Sequence, residues 1–209
     1  MSKVFVVGLP RTGTTSLCIA CLELGFKTAH TAYTRKTFQD AQVIADTPIF
    51  NDYQRLAEAY PNSRFIYLER DIDTWLPSIS QLLERMAGNL MRSDGGFNDT
   101  IKRCFLTTFS GLTENSVNNH DFLRGCYVRH QQQAIAFFEA KQLPYLVLNV
   151  AETNALSKLK AFLNTETDNI TTMPYTNKAG KVTAWNNIRH PLKISSTRNG
   201  KVDKDTSLY

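Results

Sequence analysis

No run of apolar residues in this 209-residue sequence approaches the roughly 18–20 that cross a bilayer. The first run, Val4–Val7, stops at Gly8 and Pro10, far short of the core of a signal peptide, so neither a membrane partner nor an export address is expected. Cysteine is scarce as well. Cys18, Cys21, Cys104 and Cys126 are too few and too irregularly spaced for a disulfide-built secreted domain, which points to a reducing, cytoplasmic setting. The four histidines form no cluster with carboxylates at metal-ligand spacing, and no metal is expected. The net charge of +5 suggests a polyanionic partner until its location is counted. Residues 1–177 hold 17 Lys/Arg against 17 Asp/Glu, and residues 178–209 hold seven against two. The body therefore lacks the basic face that a nucleic-acid partner requires.

What is present, 42% hydrophobic and 21% charged residues, describes one soluble domain large enough to bury its own core. Residues 3–8 form a continuous apolar, β-branched run ending in glycine, the pattern of a strand buried on both faces of a parallel sheet. Leu17, Ala20, Cys21 and Leu24 then recur at helical spacing, with Gly25 placed to stop the helix. A short strand is expected at 27–30, helical pieces at 34–45 and 48–60, a strand at 64–68 and a helix at 74–90. A long helix is expected over 119–142, a strand over 145–149 and a closing helix over 155–163. From Asn164 onward periodicity disappears, and a loop-like tail is expected. Strands alternating with helices imply an α/β fold, a central mainly parallel sheet between layers of helices, with ligands at the carboxyl ends of the strands.

The segment Gly8-Leu9-Pro10-Arg11-Thr12-Gly13-Thr14-Thr15-Ser16 joins the first strand to the first helix. Glycines let the backbone wrap an anion, a helix start offers N–H groups and the positive end of its dipole, and Thr hydroxyls add donors. Gly8 and Gly13 have the spacing of a nucleotide P-loop, and Thr15 supplies its hydroxyl, but Thr14 stands where the loop lysine belongs. Arg11 is the cation left in the loop. The competing reading is a tight turn that holds no ligand.

Pro10-Arg11-Thr12-Gly13-Thr14-Thr15 resembles the 5′-phosphosulfate loop of the P-loop sulfotransferases, P-[KR]-[ST]-G-T-[TS]. A second element is similar too: the family has a strand ending in Arg with a Ser eight residues on, and Arg64-Phe-Ile-Tyr-Leu-Glu-Arg70 runs on to Ser78. The resemblance is good over residues 3–85 and weaker beyond, and Asp71-Ile72 replaces the usual Asn-Pro. It implies a three-layer P-loop fold and a 3′-phosphoadenosine 5′-phosphosulfate co-substrate. Pro10, Arg11, Thr12, Gly13, Thr14, Thr15 and Ser16 would hold the 5′-phosphosulfate, and Arg70 and Ser78 the 3′-phosphate. Arg70 in a surface ion pair with Asp71 or Asp73 is the plainer alternative. Asn177-Lys178-Ala-Gly-Lys181 through Asn187 partly echoes the family's basic lid, so residues 1–177 read as the domain and 178–209 as a basic flap with Lys178 and Lys181 over the nucleotide.

The implied activity is sulfuryl transfer to a hydroxyl or amine on a small-molecule or glycan acceptor. Arg11 would stabilise the leaving side, and a general base is required. His30, at the end of the expected second strand, is the first candidate, and Asp46 is the second, with a strand-end histidine and a helix cap as their ordinary alternatives. His120 and His130 are expected to face solvent. Cys18-Ile-Ala-Cys21 reads as core, and Trp75, Phe97, Phe105 and Phe109 as core or pocket wall, within or near a segment, 86–125, expected to select the acceptor. Two other functions fit the loop: an ATP-dependent small-molecule kinase, and a nucleotide-binding protein without transfer activity.

Overall fold

The structure, a computed structural model, describes residues 2–174 and 185–196. Among these residues five parallel strands form one sheet: β1 (Val4–Val6), β2 (Thr28–Ala29), β3 (Val43–Ile44), β4 (Arg64–Glu69) and β5 (Tyr145–Asn149), in the order β2-β3-β1-β4-β5. β1 pairs with β3 on one side, Val4 opposite Val43, and with β4 on the other, Phe5 opposite Phe65. The chain leaves β1 toward β2 and β3 and later crosses to β4. The loop after β1 thus lies where the direction of winding reverses, the place where open α/β sheets bind ligands.

The period-two alternation of β1 builds the layers. Val4 and Val6 face α1 (Thr14–Glu23) and α7 (Ala155–Leu163) in one buried cluster, while Phe5 and Val7 face α3 (Ile49–Ala59) and α6 (His120–Ala140) in another. A third cluster packs α4 (Ile72–Met91) and α5 (Asp99–Thr108) against α6, around the fully buried Trp75. α4 starts two residues earlier than the periodicity implied because the Asp71 carboxylate caps it, accepting from Thr74 N–H at 2.9 Å.

Two expectations are corrected. The stretch 34–45 is not one helical piece: α2 (Arg35–Asp40) ends at Ala41, and Val43–Ile44 is a strand that slots between β2 and β1. Its two residues are too few to show a period, and their burial comes from both neighbouring strands. His130 does not face solvent either. It is buried on the inner side of α6, its Nε2 2.8 Å from the Phe50 carbonyl and its Nδ1 3.1 Å from the Tyr67 hydroxyl. The C-x-x-C pair does lie in the core, both thiols buried and Cys21 pushed up to about 12 by burial. Among the described residues no helix is long and apolar enough to cross a membrane. Beyond α7, residues 185–196 are fastened along the outer edge of β2: Thr28 N–H donates to Leu192 O at 3.0 Å and Ile194 N–H to Thr28 O at 2.9 Å.

Burial lowers the His130 pKa to about 4, against about 6.5 in an unfolded chain. The unfolded state therefore binds the extra proton between these values, and the associated stability, present above pH 6.5, is lost as pH falls toward 4, by about 3 kcal/mol in full. Urea titrations of the wild type and His130→Gln at pH 7 and pH 4.5 should show the steeper acid loss in the wild type. Equal slopes would remove His130 from the account.

Candidate functional site

All five strands end at one cleft of about 870 Å³. The Pro10–Ser16 loop follows β1, His30 follows β2, Asp46 follows β3, Arg70 follows β4, and Val150 follows β5. Pro10, Arg11, Thr12, Gly13, Thr14, Thr15, Ser16, His30, Asp46, Arg70 and Ser78, all singled out from sequence, line this cleft together. Lys178 and Lys181 lie outside the described residues.

The loop conformation explains its residues. Gly13 has φ +107°, and a Cβ there would stand 2.5 Å from Val150 Cγ2, so glycine is needed for both backbone and space. At Gly8 a Cβ would meet Leu68 Cβ at 2.6 Å. Arg11 itself has φ +74°, a left-handed conformation that costs a non-glycine residue about 1 kcal/mol or more. Neighbours hold it there. The Thr12 hydroxyl donates to Leu9 O at 2.8 Å, the Trp75 indole to Pro10 O at 3.0 Å, and an Arg70 guanidinium N–H to Arg11 O at 2.9 Å. α1 then begins at Thr14 with Gly13 as its N-cap and no side-chain cap. Its first turn presents the helix's positive end to the cleft.

Arg70 and Ser78 meet this loop directly. Arg11 Nε donates to Ser78 Oγ at 2.8 Å, and Arg70 Nε donates to Thr74 Oγ1 at 3.2 Å. The Tyr127 hydroxyl pins the Arg70 backbone, accepting from its N–H and donating to its carbonyl, each at 2.9 Å. Among the described residues neither Arg11 nor Arg70 is ion-paired; Asp71 is occupied as the α4 cap, and Asp73 is bound by Arg124. Burial, with the like charge of Arg70 added, pushes the Arg11 pKa down. Two guanidinium groups with no ion pair among the described residues, the charge of Arg11 offset only in part by Asp46, stand beside an open helix N-terminus, an arrangement that favours an anion.

The other side of the loop is a polar cluster. His30 Nε2 lies 3.0 Å from Thr15 Oγ1 and 3.1 Å from Thr14 Oγ1, and the Thr14 hydroxyl donates to Asp46 Oδ2 at 3.3 Å. His30 and Asp46 stand 3.8 Å apart. Asp46 adopts φ +54° and accepts from the Thr47 N–H and hydroxyl at 2.8 and 3.1 Å. The Trp185 indole stacks on His30, centroids 5.5 Å apart, and its own N–H is buried without a partner among the described residues. Burial lowers the His30 pKa; Asp46 opposes that shift and the Lys193 ammonium adds to it. A neutral imidazole facing two hydroxyls can accept a proton.

A family model described as a sulfotransferase domain matches residues 3–36 and 28–182. The chain belongs to the sulfotransferase domain family. Comparison with curated proteins finds no match. In this sulfotransferase domain, the cleft's far wall includes Met86 of α4 and Ile101 of α5, which fall in the expected segment 86–125 without having been named, and Leu82 of α4, which sequence reasoning missed. Phe105, named as core or pocket, is both, buried in the third cluster and lining the cleft. The spacing of Leu82 and Met86 from Ser78, four and eight residues along one helix face, was the available signal. Trp185 sits in a stretch with no periodicity to place it.

Removing the indole should admit water to His30, while the Lys193 ammonium keeps its bonds to the Trp185 and Ile188 main-chain carbonyls at 2.6 and 2.9 Å. The added hydration raises the imidazole pKa, because burial is the main cause of its lowering. NMR titration of the ring nitrogens should therefore show His30 of Trp185→Ala moving up toward 6.5; an unmoved titration would mean that the indole does not shield it.

Proposed function

We propose that this domain transfers a sulfuryl group from 3′-phosphoadenosine 5′-phosphosulfate to a hydroxyl or amine acceptor by in-line displacement. The observation that carries the reading is the pair of arginines without carboxylate partners, Arg11 and Arg70, latched to each other and to Ser78 at an uncapped helix N-terminus. A doubly phosphorylated donor fits them. The loop from Pro10 to Ser16 would hold its 5′-phosphosulfate with backbone N–H groups and the Thr14, Thr15 and Ser16 hydroxyls. Arg70 would grip the 3′-phosphate, joined by Ser78, whose hydroxyl accepts from Arg11 and keeps its own proton to donate. Lys178 and Lys181 would add charge from the basic flap.

When bound, such a donor supplies a sulfuryl group whose bond to the 5′-phosphate oxygen breaks as the bond to the acceptor oxygen or nitrogen forms. Arg11 is the loop cation placed to neutralise charge on the departing side, a role in which a preorganised donor contributes about 3–4 kcal/mol. His30 takes the acceptor's proton at Nε2, and Asp46, 3.8 Å away, stabilises the imidazolium that results. The Thr14 hydroxyl stands where a P-loop ATPase has its lysine and joins this acid–base pair instead.

Calorimetric titration with 3′-phosphoadenosine 5′-phosphate and with Mg-ATP tests the donor site. The bisphosphate should bind the more tightly, and Arg70→Ala should weaken it by roughly ten- to a hundredfold, the worth of one charged hydrogen-bond pair. Binding of Mg-ATP alone would overturn the assignment. Donor turnover with a panel of phenols and amines should be flat through neutral pH and fall only below 6.5, because the lowered His30 pKa keeps the base unprotonated down to that range. His30→Ala should remove that acid limb and about a hundredfold or more of the rate. A limb that persists in His30→Ala assigns the base elsewhere.

A further inference from the structure

We infer that one face of α6, carrying Arg124, Tyr127 and Gln131, positions Arg70 and keeps its charge unpaired, and that this helix thereby sets the preference for a nucleotide bearing a 3′-phosphate, a role that rests on the assignment of that phosphate to Arg70. The helix stands behind the cleft wall rather than in it. Residues 124, 127 and 131 are three and four positions apart, the spacing of a single helix face. Each meets the chain around Arg70 at a different point. Three carboxylates flank Arg70 in sequence, Glu69, Asp71 and Asp73, and any of them paired with the guanidinium would neutralise it before a ligand arrives. All three are bound elsewhere. Glu69 Oε2 accepts from the Gln131 amide at 3.2 Å, and Asp73 Oδ1 accepts from the Arg124 guanidinium at 2.7 Å. Asp71 accepts from the Thr74 N–H at 2.9 Å as the cap of α4. Two of the three competitors are therefore held by α6.

The main chain is held by the same face. The β4–β5 ladder ends where Glu69 lies opposite Asn149, so Arg70 is the first residue beyond it. Its N–H and carbonyl both turn to Tyr127, whose hydroxyl accepts from the one and donates to the other, each at 2.9 Å. One phenol thus takes the place of both ladder bonds. Burial raises the Tyr127 pKa, which keeps on the oxygen the proton that the second bond needs. The ring is fixed in turn, buried and edge-on to Trp75 with centroids 4.8 Å apart, and the Trp75 indole holds the Pro10 carbonyl. From this anchored backbone the Arg70 guanidinium donates to Arg11 O at 2.9 Å and to Thr74 Oγ1 at 3.2 Å. Both acceptors are neutral. They orient the guanidinium and leave its charge for an anion. Tyr127 is therefore a positioning residue that acts through Arg70.

The test compares two nucleotides that differ only in the 3′-phosphate, 3′-phosphoadenosine 5′-phosphate and adenosine 5′-phosphate, each titrated calorimetrically into the full chain. Tyr127→Phe keeps the ring against Trp75 and removes both bonds to Arg70. It should lower the preference for the bisphosphate by about tenfold while changing the affinity for adenosine 5′-phosphate by less than about twofold. Gln131→Leu alters no charge and releases Glu69, and it should lower the same preference by about threefold. In a Glu69→Gln background that loss should disappear, a rescue that a merely structural role for Gln131 would not give. Should Tyr127→Phe fail to fold, the Gln131 and Glu69 cycle decides the matter. A preference unchanged in Tyr127→Phe, an equal loss for both nucleotides, or a Gln131→Leu loss that persists without the Glu69 charge overturns the inference and leaves the donor site standing. A wild type that binds both nucleotides equally overturns the assignment of the 3′-phosphate to Arg70, and the role of α6 with it.

Discussion

Two positive charges held at one loop mouth with no ion-pair partner among the described residues are the constraint around which this molecule is built. Arg11 and Arg70 repel each other, and burial raises that cost for Arg11. What holds them is not charge but neutral hydrogen bonding from three directions: the Arg11 carbonyl, the Ser78 and Thr74 hydroxyls, and the Tyr127 hydroxyl closing on the Arg70 backbone. Trp75, the largest fully buried side chain, anchors α4 to the Pro10 carbonyl, so the hydrophobic core and the anion site share a joint. Such an arrangement is destabilising when empty and favourable when an anion arrives.

The loop also links the two chemical ends of the cleft. Its N–H groups, Arg11 and the Thr14 and Thr15 hydroxyls line the proposed anion end, and the same two hydroxyls contact His30 and Asp46. Any shift of the loop on binding would reach the imidazole directly, through the contacts of Thr14 and Thr15 with Nε2. That coupling depends on Gly13, which brings α1 against Val150 and so sets where Thr14 and Thr15 point.

Most of the scaffold was legible in the sequence because its signals are local. β1, β4 and β5 are continuous apolar runs, and the glycine spacing of the loop follows from the backbone it must adopt. β3 was not legible, since two residues carry no period and their burial is supplied by strands distant in sequence. His130 was misread for a related reason: a histidine on a polar-looking helix gives no sign that a carbonyl from α3 and a hydroxyl from β4 wait for it. The anion end of the site was readable as a motif. Its apolar end was readable only as a segment, 86–125, because Leu82, Met86 and Ile101 continue the helical spacing of true core residues, and only the packing of α4 beside α5 reveals that they face a space.

The fastening of residues 185–196 along β2 has a consequence for the sheet itself. β2 is an edge strand of two residues, and an exposed edge offers unpaired N–H and C=O groups to any passing strand. The segment around Leu192 and Ile194 occupies those groups, and Thr37 holds it further by donating to the Ser195 carbonyl at 2.8 Å. The same stretch of chain that lays an indole over His30 therefore serves as the guard against edge-to-edge association. The cover of the sheet edge and the environment of the imidazole are thus tied to one late segment, and a change that peels it away would expose both at once.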